Sequence, residues 1–191
     1  MTHPKDTTQL IGHAAVEARL TECWARKRVP HALLLSGPRG IGKATLAYRF
    51  ARFLLAGGEV GDTGSLFGPA EASMEMVAEH PVFRRVSAGS HPDLLVVEPG
   101  YDERKKARKQ DIVVEDTRKV AEFLSLTPAE SAWRVVIVDS ADAMNIAAAN
   151  ALLKILEEPP AQAVLLLVCH HPGTLLPTIR SRCQLLSMGA L

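Results

Sequence analysis

The chain has 191 residues, of which 47% are hydrophobic and 23% charged, with a formal net charge of +1. That length suits one domain, or one domain with a small appendage, and the balance excludes a disordered chain while saying nothing for or against nucleic acid. Cys23, Cys169 and Cys183 are odd in number and far apart, so by themselves they build neither a disulfide framework nor a four-thiolate zinc site, and a reducing cytoplasm is the expected compartment.

The first residues, MTHPKDTTQLIGH, lack the apolar run of a signal peptide. No segment approaches the roughly 18 apolar residues of a membrane span, so neither export nor a membrane is expected. Val16, Leu20, Cys23 and Trp24 recur at helical spacing and predict an amphipathic helix over 13–27. HALLLS then reads as a buried strand closed by a turn at Gly37 and Pro38, and helical spacing resumes over 43–56.

From Ala56 to about Ser90 the text is rich in Gly, Pro and small residues without a sustained period. An irregular insertion is expected there, with one short helix around Ala70 to Glu79. DLLVVEP is a second strand, YDERKKARKQ a charged loop, Glu115 to Leu126 a helix stopped before Pro128, and RVVIVD a third strand. Ala147 to Glu157 is a helix ended by Pro159 and Pro160, AVLLLVC a fourth strand, and QLL a fifth. Continuously apolar strands alternating with helices predict an α/β fold, a five-stranded parallel sheet flanked by helices, with its functional loops at the carboxyl ends of the strands.

The stretch SGPRGIGKATLAYRF holds the spacing G-x-x-x-x-G-K as Gly37, Gly42 and Lys43, directly after a strand and opening a helix. In that context backbone N–H groups and the positive helix end can hold phosphate oxygens, which predicts a P-loop. Residues Gly37, Pro38, Arg39, Gly40, Ile41, Gly42, Lys43, Ala44 and Thr45 are the expected nucleotide-binding loop. A hydrolysing P-loop carries Ser or Thr after its lysine to ligate magnesium, whereas Ala44 stands here. Thr45 does not take over, because one step along a helix rotates the side chain by about 100°. Its hydroxyl can still touch a phosphate oxygen, or serve only as an ordinary first-turn hydroxyl.

The partner motif is a hydrophobic strand ending in an acid that orients magnesium, followed by a glutamate that polarises water. VVIVDSAD supplies Asp139 for the first role and Ser140 in place of the second. A hydroxyl without a base does not accept the water proton as a carboxylate does. Asp142 is a conceivable substitute, though three residues further on it should point elsewhere. Two defects in two coupled motifs predict slow hydrolysis or none.

Four stretches, HALLLSGPRGIGKATLA, RVVIVDSADAMN, NALLKILEEPP and LLPTIRSRCQ, together resemble the clamp-loader AAA+ subunits, and most closely the delta-prime family of the bacterial DNA polymerase III clamp loader. The likeness covers roughly residues 9–188. It implies that NALLKILEEPP, whose leucines are on their own plain packing residues, lies beside the nucleotide site and relays its state. It implies that Arg182, in SRC, is an arginine finger offered to the neighbouring subunit, where the residue alone reads as a surface ion-pair partner. It places His170 where relatives carry a polar nucleotide-sensing residue, commonly threonine or asparagine. Histidine is a departure there, and a loop histidine without a role is an equal reading.

Many relatives hold zinc with four cysteines after the first P-loop helix; the 56–90 segment has no cysteine, so no metal is expected, and His80 and His91 read as incidental. The run DERKKARK reads as a solvated loop. The resemblance thus implies a non-hydrolysing AAA+ stator that works with gamma/tau and delta subunits, and through the assembly with the sliding clamp and primed DNA, in replication. No cofactor is required, weak ATP or ADP binding stays open, and the helical lid and collar of the family are expected to lie outside this chain. The alternative is a gamma/tau-type ATPase with an altered metal site. A third reading, a small nucleotide kinase, lacks the lid arginine cluster it needs.

Overall fold

The computed structural model describes residues 2–58, 73–102, 107–108 and 111–189. A single turn of 3-10 helix, Pro4–Asp6, precedes α1 (Ala14–Ala25), β1 (Ala32–Ser36), α2 (Lys43–Leu55), α3 (Pro81–Ala88) and β2 (Leu94–Val97). Then come β3 (Tyr101–Asp102), β4 (Ala107–Arg108), α4 (Val114–Ser125), β5 (Arg134–Asp139), α5 (Ile146–Glu157), β6 (Ala163–Cys169), α6 (Pro177–Arg180) and β7 (Gln184–Ser187).

Five of the strands form one parallel sheet in the order β2-β5-β6-β1-β7, as the apolar runs require. Alternation within each strand divides the core in two. Leu33 and Leu35 of β1, Val135 and Ile137 of β5, and Val164, Leu166 and Val168 of β6 pack with α1, α2 and α3. Leu34, Val136, Val138, Leu165 and Leu167 face α4, α5 and α6 on the other side. The central strands β1, β5 and β6, covered on both faces, bury nearly every residue, which is why they read as runs and not as alternations, while the edge strands β2 and β7 are more exposed.

Two expectations are corrected. Residues 73–80 are not helical; the helix of this region is α3, Pro81–Ala88, inside the stretch read as irregular. His80 Nδ1 accepts from Val82 N, Pro81 fills the first turn where its missing N–H costs nothing, and Gly89 closes the helix at φ +67°. Residues 59–72, the rest of the expected insertion, lie outside the described residues. The charged loop carries a two-residue antiparallel ladder between β3 and β4, while 103–106 and 109–110 lie outside the described residues.

Two arginines of α2 are buried. Arg49 and Arg52 of α2 keep 3% and 1% of their surface. Arg49 pairs with Glu17 at 2.5 Å and donates to Thr8 O; Arg52 donates to Lys5 O at 2.9 Å and Thr7 O at 2.8 Å, with its guanidinium 4.4 Å from the Phe83 ring centre. Carbonyls of the N-terminal segment thereby accept from the terminal nitrogens of both buried cations, while Arg52 Nε has no hydrogen-bond partner among the described residues, and the segment is held across α2. At the amino end of the sheet, buried Asp93 accepts N–H bonds from Ala129, Glu130 and Ser131 at 2.7, 2.8 and 2.9 Å.

Candidate nucleotide site

The loop between β1 and α2 turns through Gly40 at φ +82° and Gly42 at φ +95°. The left-handed turn needs glycine at Gly42, and a Cβ there would also stand 2.6 Å from Leu10 Cδ1, displacing the tip of that side chain. Lys43, the first residue of α2, is buried, and its Nζ donates to Gly37 O at 2.7 Å and Pro38 O at 2.5 Å. An ammonium has three donors, so one remains for an anion. Burial lowers the Lys43 pKa, opposed by the carboxylates of Asp142 and Asp139. His13 Nε2 donates to Ile41 O at 2.7 Å and pins the loop from α1.

The loop opens into a cleft of about 1150 Å³ at the carboxyl ends of β1, β5 and β6. Of the residues expected to hold nucleotide, Arg39, Gly40, Gly42, Lys43, Ala44, Thr45, Asp139 and His170 line it. Gly37 and Pro38 serve from behind, as acceptors for Lys43, and Ile41 turns into the core.

At the end of β5, Ser140 Oγ donates to Asp139 Oδ1 at 3.2 Å and lies 2.9 Å from His170 Nε2. One hydroxyl proton cannot serve both, so His170 Nε2–H donates to Ser140 and the hydroxyl passes its own proton to Asp139. Burial lowers the His170 pKa, helped by Lys43 and Arg39 and opposed by Asp142 and Asp139. His170 Nδ1 is buried without a partner among the described residues.

Asp142 also lines the cleft, but its carboxylate is engaged by the main chain. Its Oδ1 and Oδ2 accept the backbone N–H groups of His170 at 3.1 Å and His171 at 3.2 Å. Both oxygens are committed to shaping the loop after β6.

Backbone N–H groups at the start of α2 and the spare Lys43 donor fit phosphate oxygens. The magnesium position does not fit its usual ligand set, since the side chain at Ala44 ends in a methyl group. Among the described residues no group of His, Cys, Asp and Glu side chains could hold a metal ion, and no helix is long and apolar enough to cross a membrane. His80 and His91 use Nδ1 to accept Val82 N and Asp93 N, which accounts for both.

Arg182 lies outside the cleft. Gln184 pairs with Leu33 and Ser187 with Ser36, so the residue preceding β7 and the loop following β1 sit at opposite ends of the sheet. Three strand steps of ~3.3 Å separate those rows, about 10 Å before either loop begins. Its guanidinium pairs with Glu157 at 2.9 Å and donates to Thr178 O at 3.1 Å.

Sequence reasoning missed the opposite wall of the cleft, made by Thr2, His3, Pro4 and Asp111. His3 meets Tyr48 edge-on with ring centres 6.1 Å apart. No periodicity marks that segment; the only signal was the pair of arginines in YRFARF, an odd place for charge on an otherwise apolar helix.

A family model described as DNA polymerase III, delta subunit, matches residues 12–191. The chain is 40% identical to DNA polymerase III subunit delta' of Pseudomonas aeruginosa over 87% of its own length and 45% of the relative's. It is 35% identical to subunit delta' of Escherichia coli over the same shares, and 33% identical to subunit gamma/tau of Mycobacterium tuberculosis over 94% of this chain and 28% of that one. The chain therefore spans less than half the length of these relatives. Among solved structures, a DNA polymerase III gamma subunit-related protein of Thermotoga maritima superposes with a TM-score of 0.61 at 24% identity, covering 93% of this chain and 46% of that one. The RuvB Holliday junction branch migration motor of the same organism gives 0.52 at 18% identity over 97% and 49%. Both likenesses bear on the fold, which is that of AAA+ domains.

Proposed function

The chain belongs to the family described as DNA polymerase III, delta subunit, and on that premise we propose that it is the AAA+ module of a delta-prime-type clamp-loader subunit, one that holds nucleotide weakly, does not hydrolyse it, and lends Arg182 to an adjacent gamma/tau-type ATPase. The observation that carries this reading is the cleft's division of labour. The phosphate cradle and Lys43 are complete, while Ala44 offers no metal ligand and Ser140 stands hydrogen-bonded to His170 and Asp139 where a water-polarising carboxylate belongs.

The position of Arg182 supports a role in trans. A guanidinium on developing phosphate charge contributes about 10³- to 10⁵-fold in rate, and Arg182 faces away from its own chain's loop. A phosphate that it serves belongs to another chain, stacked so that this chain's Arg182 end meets the neighbour's cleft. Gamma/tau and delta subunits are the partners on this reading, and the sliding clamp and primed DNA are reached through the assembly.

Steady-state ATPase measurements test it. The chain alone should show no turnover, and Arg182→Ala should sharply lower, to a residual rate still measurable in single turnover, the hydrolysis by a gamma/tau partner in the assembled loader. Turnover by the chain itself, lost on Lys43→Ala, would assign it to the gamma/tau class instead. Nucleotide affinity should change less than about threefold on adding magnesium, because the hydroxyl that recruits the ion is missing.

A further inference from the structure

Resting on the reading of Arg182 as a group offered in trans, we infer that Glu157 is a positioning residue for Arg182: the Glu157 carboxylate at the end of α5 holds the guanidinium in the orientation in which it meets the neighbour's phosphate.

Glu157 is the last residue of α5, and Glu158 and Pro159 end the helix. A carboxylate at a helix carboxyl end faces unpaired carbonyls and the negative pole of the helix, so it is disfavoured there unless a cation answers it. Arg182 is that cation, at 2.9 Å. Its other terminal nitrogen donates to Thr178 O in the last turn of α6, which packs on α5. One guanidinium is thus gripped by the ends of two helices. It has five N–H donors; two are used in these contacts, leaving three on a side chain that remains 36% exposed. A planar fork fixed on one edge and free on the other is suited to receiving phosphate oxygens without first losing its own freedom.

The pair also supplies a route from the cleft to Arg182. Asn145 Oδ1 accepts Ala148 N at 2.8 Å and starts α5 a few residues beyond Asp142. The same helix therefore begins beside the cleft wall and ends at Glu157.

An exposed pair of this kind is worth up to about fivefold in occupancy of one geometry. In the assembled loader, Glu157→Ala should lower partner kcat about three- to fivefold with KM unchanged, and Glu157→Gln, which keeps the acceptor oxygen, should stay within about twofold. In an Arg182→Ala background, Glu157→Ala should add less than about twofold, because the coupling partner is already gone. A rise in kcat on Glu157→Ala would mean a latch that restrains Arg182, and overturns the inference. So does an undiminished effect in the Arg182→Ala background, or a change confined to KM. If Arg182→Ala costs partner turnover and Glu157→Ala does not, this inference alone fails. If Arg182→Ala leaves turnover untouched, the reading of the finger fails and takes this one with it.

Discussion

Asp93→Asn is the substitution whose cost can be worked most directly from the structure. Asp93 is fully buried, and its two oxygens accept three backbone N–H groups, from Ala129, Glu130 and Ser131. Burial works against its ionisation, but those three bonds and the nearby His91 outweigh it and hold the carboxyl below its ordinary value. Asparagine keeps the shape and one acceptor oxygen. At least one of the N–H groups then faces an amide NH₂, and the others lose charge assistance. With hydrogen bonds to charged groups worth about 1.5–3 kcal/mol, the loss at pH 7 should be ~2–4 kcal/mol, a fall in Tm of about 5–15 °C for a chain of this size. The sign with pH follows from the depressed pKa: the Asp93 contribution is complete above the unfolded value near 3.9 and is lost as pH falls through the folded one. Urea unfolding of parent and variant followed by circular dichroism at pH 7 and pH 2 should show a gap at pH 7 that narrows at pH 2. A variant within about 0.5 kcal/mol of the parent at pH 7, or a gap undiminished at pH 2, would refute the argument.

Arg52→Met should release the N-terminal segment from α2, since Lys5 and Thr7 carbonyls lose their donor; amide exchange over residues 3–8 should accelerate at least tenfold. Gly42→Ala forces a left-handed residue with a Cβ 2.6 Å from Leu10 Cδ1, so the loop should shift and nucleotide affinity fall at least tenfold, read by calorimetric titration. Asp142→Ala leaves the N–H groups of His170 and His171 without their acceptors and should cost about 1–3 kcal/mol in chemical denaturation.

The central strands β1, β5 and β6 and the phosphate loop were legible because burial on both faces writes itself as unbroken apolar runs, and because backbone geometry demands Gly37 and Gly42 and charge demands Lys43 within seven positions. What escaped were pairings across long sequence distance. The partners of Arg49 and Arg52 could not be read because nothing local announces that residues 5–8 supply their acceptors. Asp142 could be set aside as a base, yet its bonds to the chain after β6 depend on the parallel pairing of β5 with β6. Helix α3 was legible in principle, from Pro81 at its start and Gly89 at its end, but the glycine-rich text before it masked the eight residues between.

Where β7 ends, Met188 N donates to Ser36 O at 2.8 Å, and the Met188 carbonyl lies 2.2 Å from the place a Cβ on Gly37 would take. The final strand is thus butted, main chain on main chain, against the first residue of the phosphate cradle. A load drawn along that strand reaches Gly37 as direct displacement, with no pliable side group between them to absorb it.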